Sequence, residues 1–104
     1  MKRHAFKMRL KPGKAAEYRK RHDEIWPELS ALIKDSGVSD YSIFLDEETN
    51  TLFAVQKISG ASSSQDLGST DVVRRWWAHM SDIMDTNPDG SPASVDLVEV
   101  FRQD

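Results

Sequence analysis

The chain has 104 residues, 38% of them hydrophobic and 30% charged, and it contains no cysteine. That is one domain, 1–104, with one compact core, which excludes a separate cofactor module, thiol nucleophiles, disulfides and cysteine-held metal centres. With 14 basic against 17 acidic side chains and a net charge of −3, it lacks the basic footprint that binding nucleic acid requires.

The amino terminus is interrupted by charge at every second residue, so it reads as neither a signal core nor a membrane span. Phe6, Met8 and Leu10 alternate with Lys7, Arg9 and Lys11, the period of a strand with one buried face, and Pro12-Gly13 ends it. From Lys14 to Ser36 the residues at 15, 18, 22, 25, 26, 29, 32 and 33 fall on one helical arc. Pro27 lies inside that pattern and predicts a kink or break near Asp23 to Trp26, with Gly37 as the stop.

Residues 41–46 and 51–58 predict two strands joined by the turn Glu47-Glu48-Thr49-Asn50. The small polar stretch Ser59 to Asp66 reads as a loop or a poorly formed turn of helix. Thr70-Asp71 then supplies a cap and a first-turn carboxylate for a second amphipathic helix through Val72, Val73, Trp76, Trp77, Met80, Ile83 and Met84. Asn87 to Ser94 predicts an irregular loop, and Val95 to Phe101 a last strand.

The order β-α-β-β-α-β is the ferredoxin-like α+β arrangement, a four-stranded antiparallel sheet with both helices on one face. The other face should be wet, yet Phe44, Phe53, Val55, Val98 and Val100 make it apolar. An apolar second face needs a cover, and the same face of a second copy supplies one, so a homodimer is expected.

Tyr18 and His22 are four residues apart at the centre of the first helix's apolar arc. A histidine there is either a core residue satisfied by a neighbour or the general acid-base group of a pocket. Trp76-Trp77 either packs the core or forms a wall that stacks on the apolar face of a sugar, and Tyr41 either packs or adds a hydroxyl to that pocket. His4 and His79 are weaker candidates. The histidines share no metal-ligand spacing, and neither a phosphate-binding glycine loop nor a Gly-x-Ser-x-Gly turn occurs.

Tyr18-x-x-x-His22, Ile25-Trp-Pro-Glu-Leu29, Tyr41-Ser-Ile-Phe-Leu-Asp46, Arg75-Trp-Trp77 and Asn87-Pro-Asp89 occur together and in order, and in this they strongly resemble the L-rhamnose mutarotase family. The resemblance covers nearly the whole chain. It implies a small cytoplasmic homodimer, a dimeric α/β barrel, that exchanges the α and β anomers of L-rhamnose without a cofactor or metal. It also implies that His22 is the proton donor, Tyr18 and Tyr41 bind sugar, and Trp76 and Trp77 form the aromatic wall. The chain departs from the family pattern at Ser59 to Gly68, where a serine-rich stretch stands in place of a more charged one.

Three other readings stay open at this level. The sugar is L-fucose or another relative; the chain is a haem-degrading or quinone-forming oxygenase of the same dimeric fold class; or it binds sugar without catalysis.

Overall fold

The computed structural model describes residues 2–60 and 67–103. Four antiparallel strands, β1 (Lys2–Arg9), β2 (Val38–Asp46), β3 (Thr51–Ile58) and β4 (Ser94–Asp96), form one sheet in the order β2-β3-β1-β4. Three helices accompany them: α1 (Ala15–Asp23), α2 (Pro27–Asp35) and α3 (Asp71–Met80). This is the expected ferredoxin-like α+β topology. Among the described residues no helix is long and apolar enough to cross a membrane.

The expected break in the first helical stretch is complete. Pro27 has no N–H to give and pushes the preceding residue out of the helical region, and Trp26 is extended at φ −62° and ψ 130°. Proline's fixed φ suits the first turn of a helix, so α2 begins there, with Leu29 and Ser30 donating to the Trp26 carbonyl. At the far end Gly37 takes φ 97°, and a Cβ there would stand 2.5 Å from Ser59 Oγ. The positive φ is what calls for glycine, since the Ser59 hydroxyl can rotate away.

Phe6, Met8 and Leu10 of the first strand region and Leu52, Ala54 and Ile58 of β3 share the helix-facing side of the sheet and are buried. All but Ile58 pack with Leu29, Val73, Met80, Ile83 and Met84 in one core. Burying a side chain such as Phe6, which is 0% exposed, contributes about 1.5–3 kcal/mol.

Three expectations need correction. The last strand is Ser94–Asp96 with one further bond, Leu97 N–H to the Ala5 carbonyl at 2.9 Å, and does not run to Phe101. Val98, Val100 and Phe101 are 84%, 93% and 77% exposed, because residues 98–101 have left the sheet edge. Thr70 occupies the cap position of α3, but its hydroxyl donates to the Leu67 carbonyl at 2.6 Å and does not cap the helix. Finally, α3 ends at Met80, and Ile83 and Met84 are buried from the turn beyond it, where Ile83 accepts from Lys11 N–H. Of the serine-rich stretch, residues 61–66 lie outside the described residues.

On the open side of the sheet, register aligns Phe44, Phe53, Lys7 and Val95 in one row. The next row holds Ser42, Val55 and Ala5. Phe44 is 62% and Val95 57% exposed, so part of the expected apolar second face is present, but Val98 and Val100, expected on it, have left the sheet and Lys7 interrupts the row.

Candidate active site

All five expected site residues line one cavity of about 830 Å³ between the helices and the sheet. Tyr18 and His22 come from α1, Tyr41 from β2, and Trp76 and Trp77 from α3. Met8, Leu10 and Leu52 contribute apolar lining from the sheet, while Arg19, Asp23 and Glu47 bring charge to it. A mostly apolar hollow with a few polar groups is what a small ligand requires.

Tyr18 and His22 are one helical turn apart, and their rings stack with centroids 4.4 Å apart and planes 28° from parallel. His22 Nδ1 lies 3.1 Å from the Tyr18 carbonyl oxygen. A carbonyl can only accept, so Nδ1 carries the hydrogen and donates it. The neutral ring therefore keeps its lone pair on Nε2, and that nitrogen is the basic one. Burial holds the imidazole below its ordinary pKa, against weaker opposing pulls from the Tyr18 carbonyl and the Asp23 carboxylate. Burial also pushes the Tyr18 phenol well above its ordinary value, and the nearby Tyr41 phenol adds to that shift. At neutral pH the site thus holds a neutral histidine base beside a phenol that keeps its proton.

The Trp76 and His22 rings meet at right angles, with centroids 5.5 Å and planes 89° apart. Trp76 is buried, while its neighbour Trp77, turned about 100° further round α3, is half-buried. Trp77 leans on Gly68 so closely that a Cβ there would stand 2.7 Å from its ring.

The family model for L-rhamnose mutarotase matches residues 3–103. The chain belongs to the L-rhamnose mutarotase family. An L-rhamnose mutarotase of Bacteroides thetaiotaomicron is 62% identical to it over 104 residues, the whole of both chains. One of Formosa agariphila is 59% identical over 101 residues, 97% of each chain. The fold agrees with a crystal structure of L-rhamnose mutarotase from Formosa agariphila at a TM-score of 0.93, with 55% identity and complete coverage of both chains.

In this mutarotase-family chain the structure adds two aromatic groups to the expected five. Trp26 meets Trp76 edge-on at 5.1 Å, and the His79 ring lies 5.5 Å from Trp76 and 5.7 Å from Trp26. They back the wall from outside the cavity. Trp26 stands next to the helix-breaking proline and His79 three residues along α3 from Trp76, so each had a local signal, but their convergence depends on how α2 and α3 pack. Among the described residues no three His, Asp or Glu side chains converge as a metal-ligand set.

Proposed function

We infer that this protein is an isomerase that exchanges the α and β anomers of L-rhamnose by opening and reclosing the sugar ring, in support of rhamnose metabolism. The observation that carries the reaction chemistry is the His22 Nδ1–Tyr18 carbonyl hydrogen bond, which leaves Nε2 as the basic nitrogen of a residue lining the cavity.

Ring opening requires the anomeric hydroxyl to lose a proton while the ring oxygen gains one. His22 Nε2 takes the anomeric proton, the C1–O5 bond breaks, and C1–O1 becomes a carbonyl. The Tyr18 or Tyr41 hydroxyl, or a water held by them, supplies the proton to the ring oxygen. After rotation about C1–C2 the O5 hydroxyl attacks the other face of the aldehyde and returns its proton to the phenolate or water that supplied it, while the imidazolium returns its proton to O1. His22 is thus the proton donor of the closing half-reaction and the acceptor of the opening one. Such acid-base catalysis is worth roughly a hundred- to ten-thousand-fold. Trp76 and Trp77 offer flat apolar surface to the sugar's C–H face, and an indole N–H suits a hydroxyl.

The working molecule is a homodimer of one-domain subunits, residues 1–104 each, in the cytoplasm, its substrate a small sugar and not a nucleic acid or membrane. Phe44, Phe53 and Val95, in a row that only Lys7 interrupts on the open sheet face, support the pairing, because exposed apolar side chains are costly to leave in water.

Saturation-difference proton NMR on L-rhamnose at anomeric equilibrium tests the activity. Protein-dependent transfer between the two anomeric signals, absent in His22→Asn, is the expected result. Near-wild-type transfer in the folded variant removes His22 from the mechanism, and transfer that is faster with L-fucose than with L-rhamnose reassigns the substrate.

A further inference from the structure

We propose that Arg21 is a positioning residue of the site, a clamp that sets where α1 holds Tyr18 and His22 relative to the Trp76 and Trp77 wall on α3. The proposal rests on the mutarotase reading for its activity readout, though not for its structural one.

The clamp is needed because α1 is poorly anchored by other means. It has nine residues, of which Tyr18 is buried and His22 only partly so. A helix that short is marginal in water and depends on packing, and one buried ring is little packing. Arg21 supplies a second anchor. Its Nη1 donates to the His79 carbonyl at 2.6 Å and to Asp82 Oδ1 at 2.8 Å, while Nη2 donates to Asp82 Oδ2 at 3.2 Å. Glu17 Oε2 sits 3.5 Å from Nε and holds the guanidinium from its own helix.

Asp82 is 66% exposed, but the arginine half of the pair is sheltered and held in a defined geometry. The Arg21 side chain is only 16% exposed, and its fork engages the carboxylate through two bonds, a geometry that lysine cannot reproduce. The His79 carbonyl belongs to the last turn of α3, where acceptors lack helical partners and the helix end carries partial negative charge. A cation placed there satisfies both.

The contacts also close on themselves. Arg21 holds His79 by its carbonyl, the His79 ring lies on Trp76, and Trp76 meets at right angles the ring of His22, the residue next to Arg21 in the chain. Releasing the guanidinium therefore loosens His22 against Trp76 without removing any group that lines the main cavity. The charged and titratable groups that share the cavity with His22 are Tyr18, Arg19 and Asp23 on its own helix and Tyr41 and Glu47 on the other walls, with His79 across Trp76.

The test compares Arg21→Gln, Arg21→Lys and Asp82→Asn with wild type, measuring kcat and KM for anomer exchange, the His22 titration by NMR, and unfolding in urea. Since small misplacements of reacting groups are costly, Arg21→Gln is expected to lower kcat by about ten- to a hundredfold. Arg21→Lys should recover part of the loss, and Asp82→Asn should show a smaller loss in the same direction. In all three the His22 pKa should rise toward that of a histidine in water, as α1 lifts and wets the ring. If Arg21→Gln folds with wild-type kcat and His22 titration and loses only stability, Arg21 is merely structural and the proposal is overturned. Should that variant not fold, the same outcome in Asp82→Asn overturns it. If wild type does not exchange L-rhamnose, the mutarotase reading fails, and the His22 titration alone then decides on the clamp.

Discussion

Val38 and Ile43 face the same side of the sheet although five positions separate them, which strict alternation along a strand forbids. The register explains it: Ser39 pairs with Lys57 and Ser42 with Val55, so Asp40 and Tyr41 together stand opposite Gln56. This is a bulge, with Asp40 at φ 48° and its carboxylate 3.5 Å from Lys57. The extra residue flips the parity of everything after it and turns Tyr41, Ile43 and Leu45 toward the helices.

Deleting Asp40 removes the extra residue, so Ser39 and Tyr41 become neighbours in a regular ladder with Val38, Tyr41 and Ile43 still on the helix side, and the variant should fold and keep anomer exchange, lowered only as far as Tyr41 shifts. Asp40→Val keeps the count but places a β-branched residue at positive φ, at a cost of about 1–2 kcal/mol. Asp40→Gly should be close to neutral. Urea midpoints for the three variants, read beside their exchange rates, check the ordering.

Gly68→Ala tests the wall. Gly68 does not have a positive φ, so alanine brings no backbone strain, but its Cβ would meet the Trp77 ring at 2.7–2.8 Å. The indole must shift. KM for the sugar is expected to rise several-fold with a smaller effect on kcat, alongside a change in tryptophan emission; an unchanged KM would detach Trp77 from substrate binding.

The depressed His22 pKa places the acidic limb of the kcat/KM profile below that of an ordinary histidine, since the base works only while neutral. For stability the sign follows from proton uptake. Below about pH 6.5 an unfolded chain protonates this histidine while the folded one resists, so stability falls as pH drops from 6.5 toward the folded pKa. Tyr18 behaves oppositely. Its raised folded pKa means that above about pH 10.0 only the unfolded chain loses that proton, and stability falls as pH rises. Tyr18→Phe should flatten the alkaline side of a urea-midpoint profile, and His22→Asn the acidic side.

Val95→Lys probes the sheet face. It sets a second cation beside Lys7 in the row that holds Phe44 and Phe53. Sedimentation should show wild type as a dimer and the variant as a monomer at micromolar concentration. A wild-type monomer would leave the open face without this role.

Much of the molecule was written locally in the sequence. The alternation of Phe6, Met8 and Leu10, the break at Pro27 and the apolar pattern of α3 through Val72, Val73, Trp76, Trp77 and Met80 each depend on neighbours within a few positions, where backbone geometry and periodicity act directly. The motifs around Tyr18, His22, Tyr41 and Trp76-Trp77 marked the family, and those residues do share one cavity. Only the tertiary structure decided the rest. The bulge at Asp40 exists because Val38 and Ile43 must both reach the core across a register that β3 imposes. β4 ends early although Lys2 to His4 of β1 still extend along that edge, and Arg21 gains its meaning from acceptors 58 and 61 positions away. Such contacts join segments with no local relation, so no periodicity records them, and the placing of the His22 base against its aromatic wall belongs to that second class.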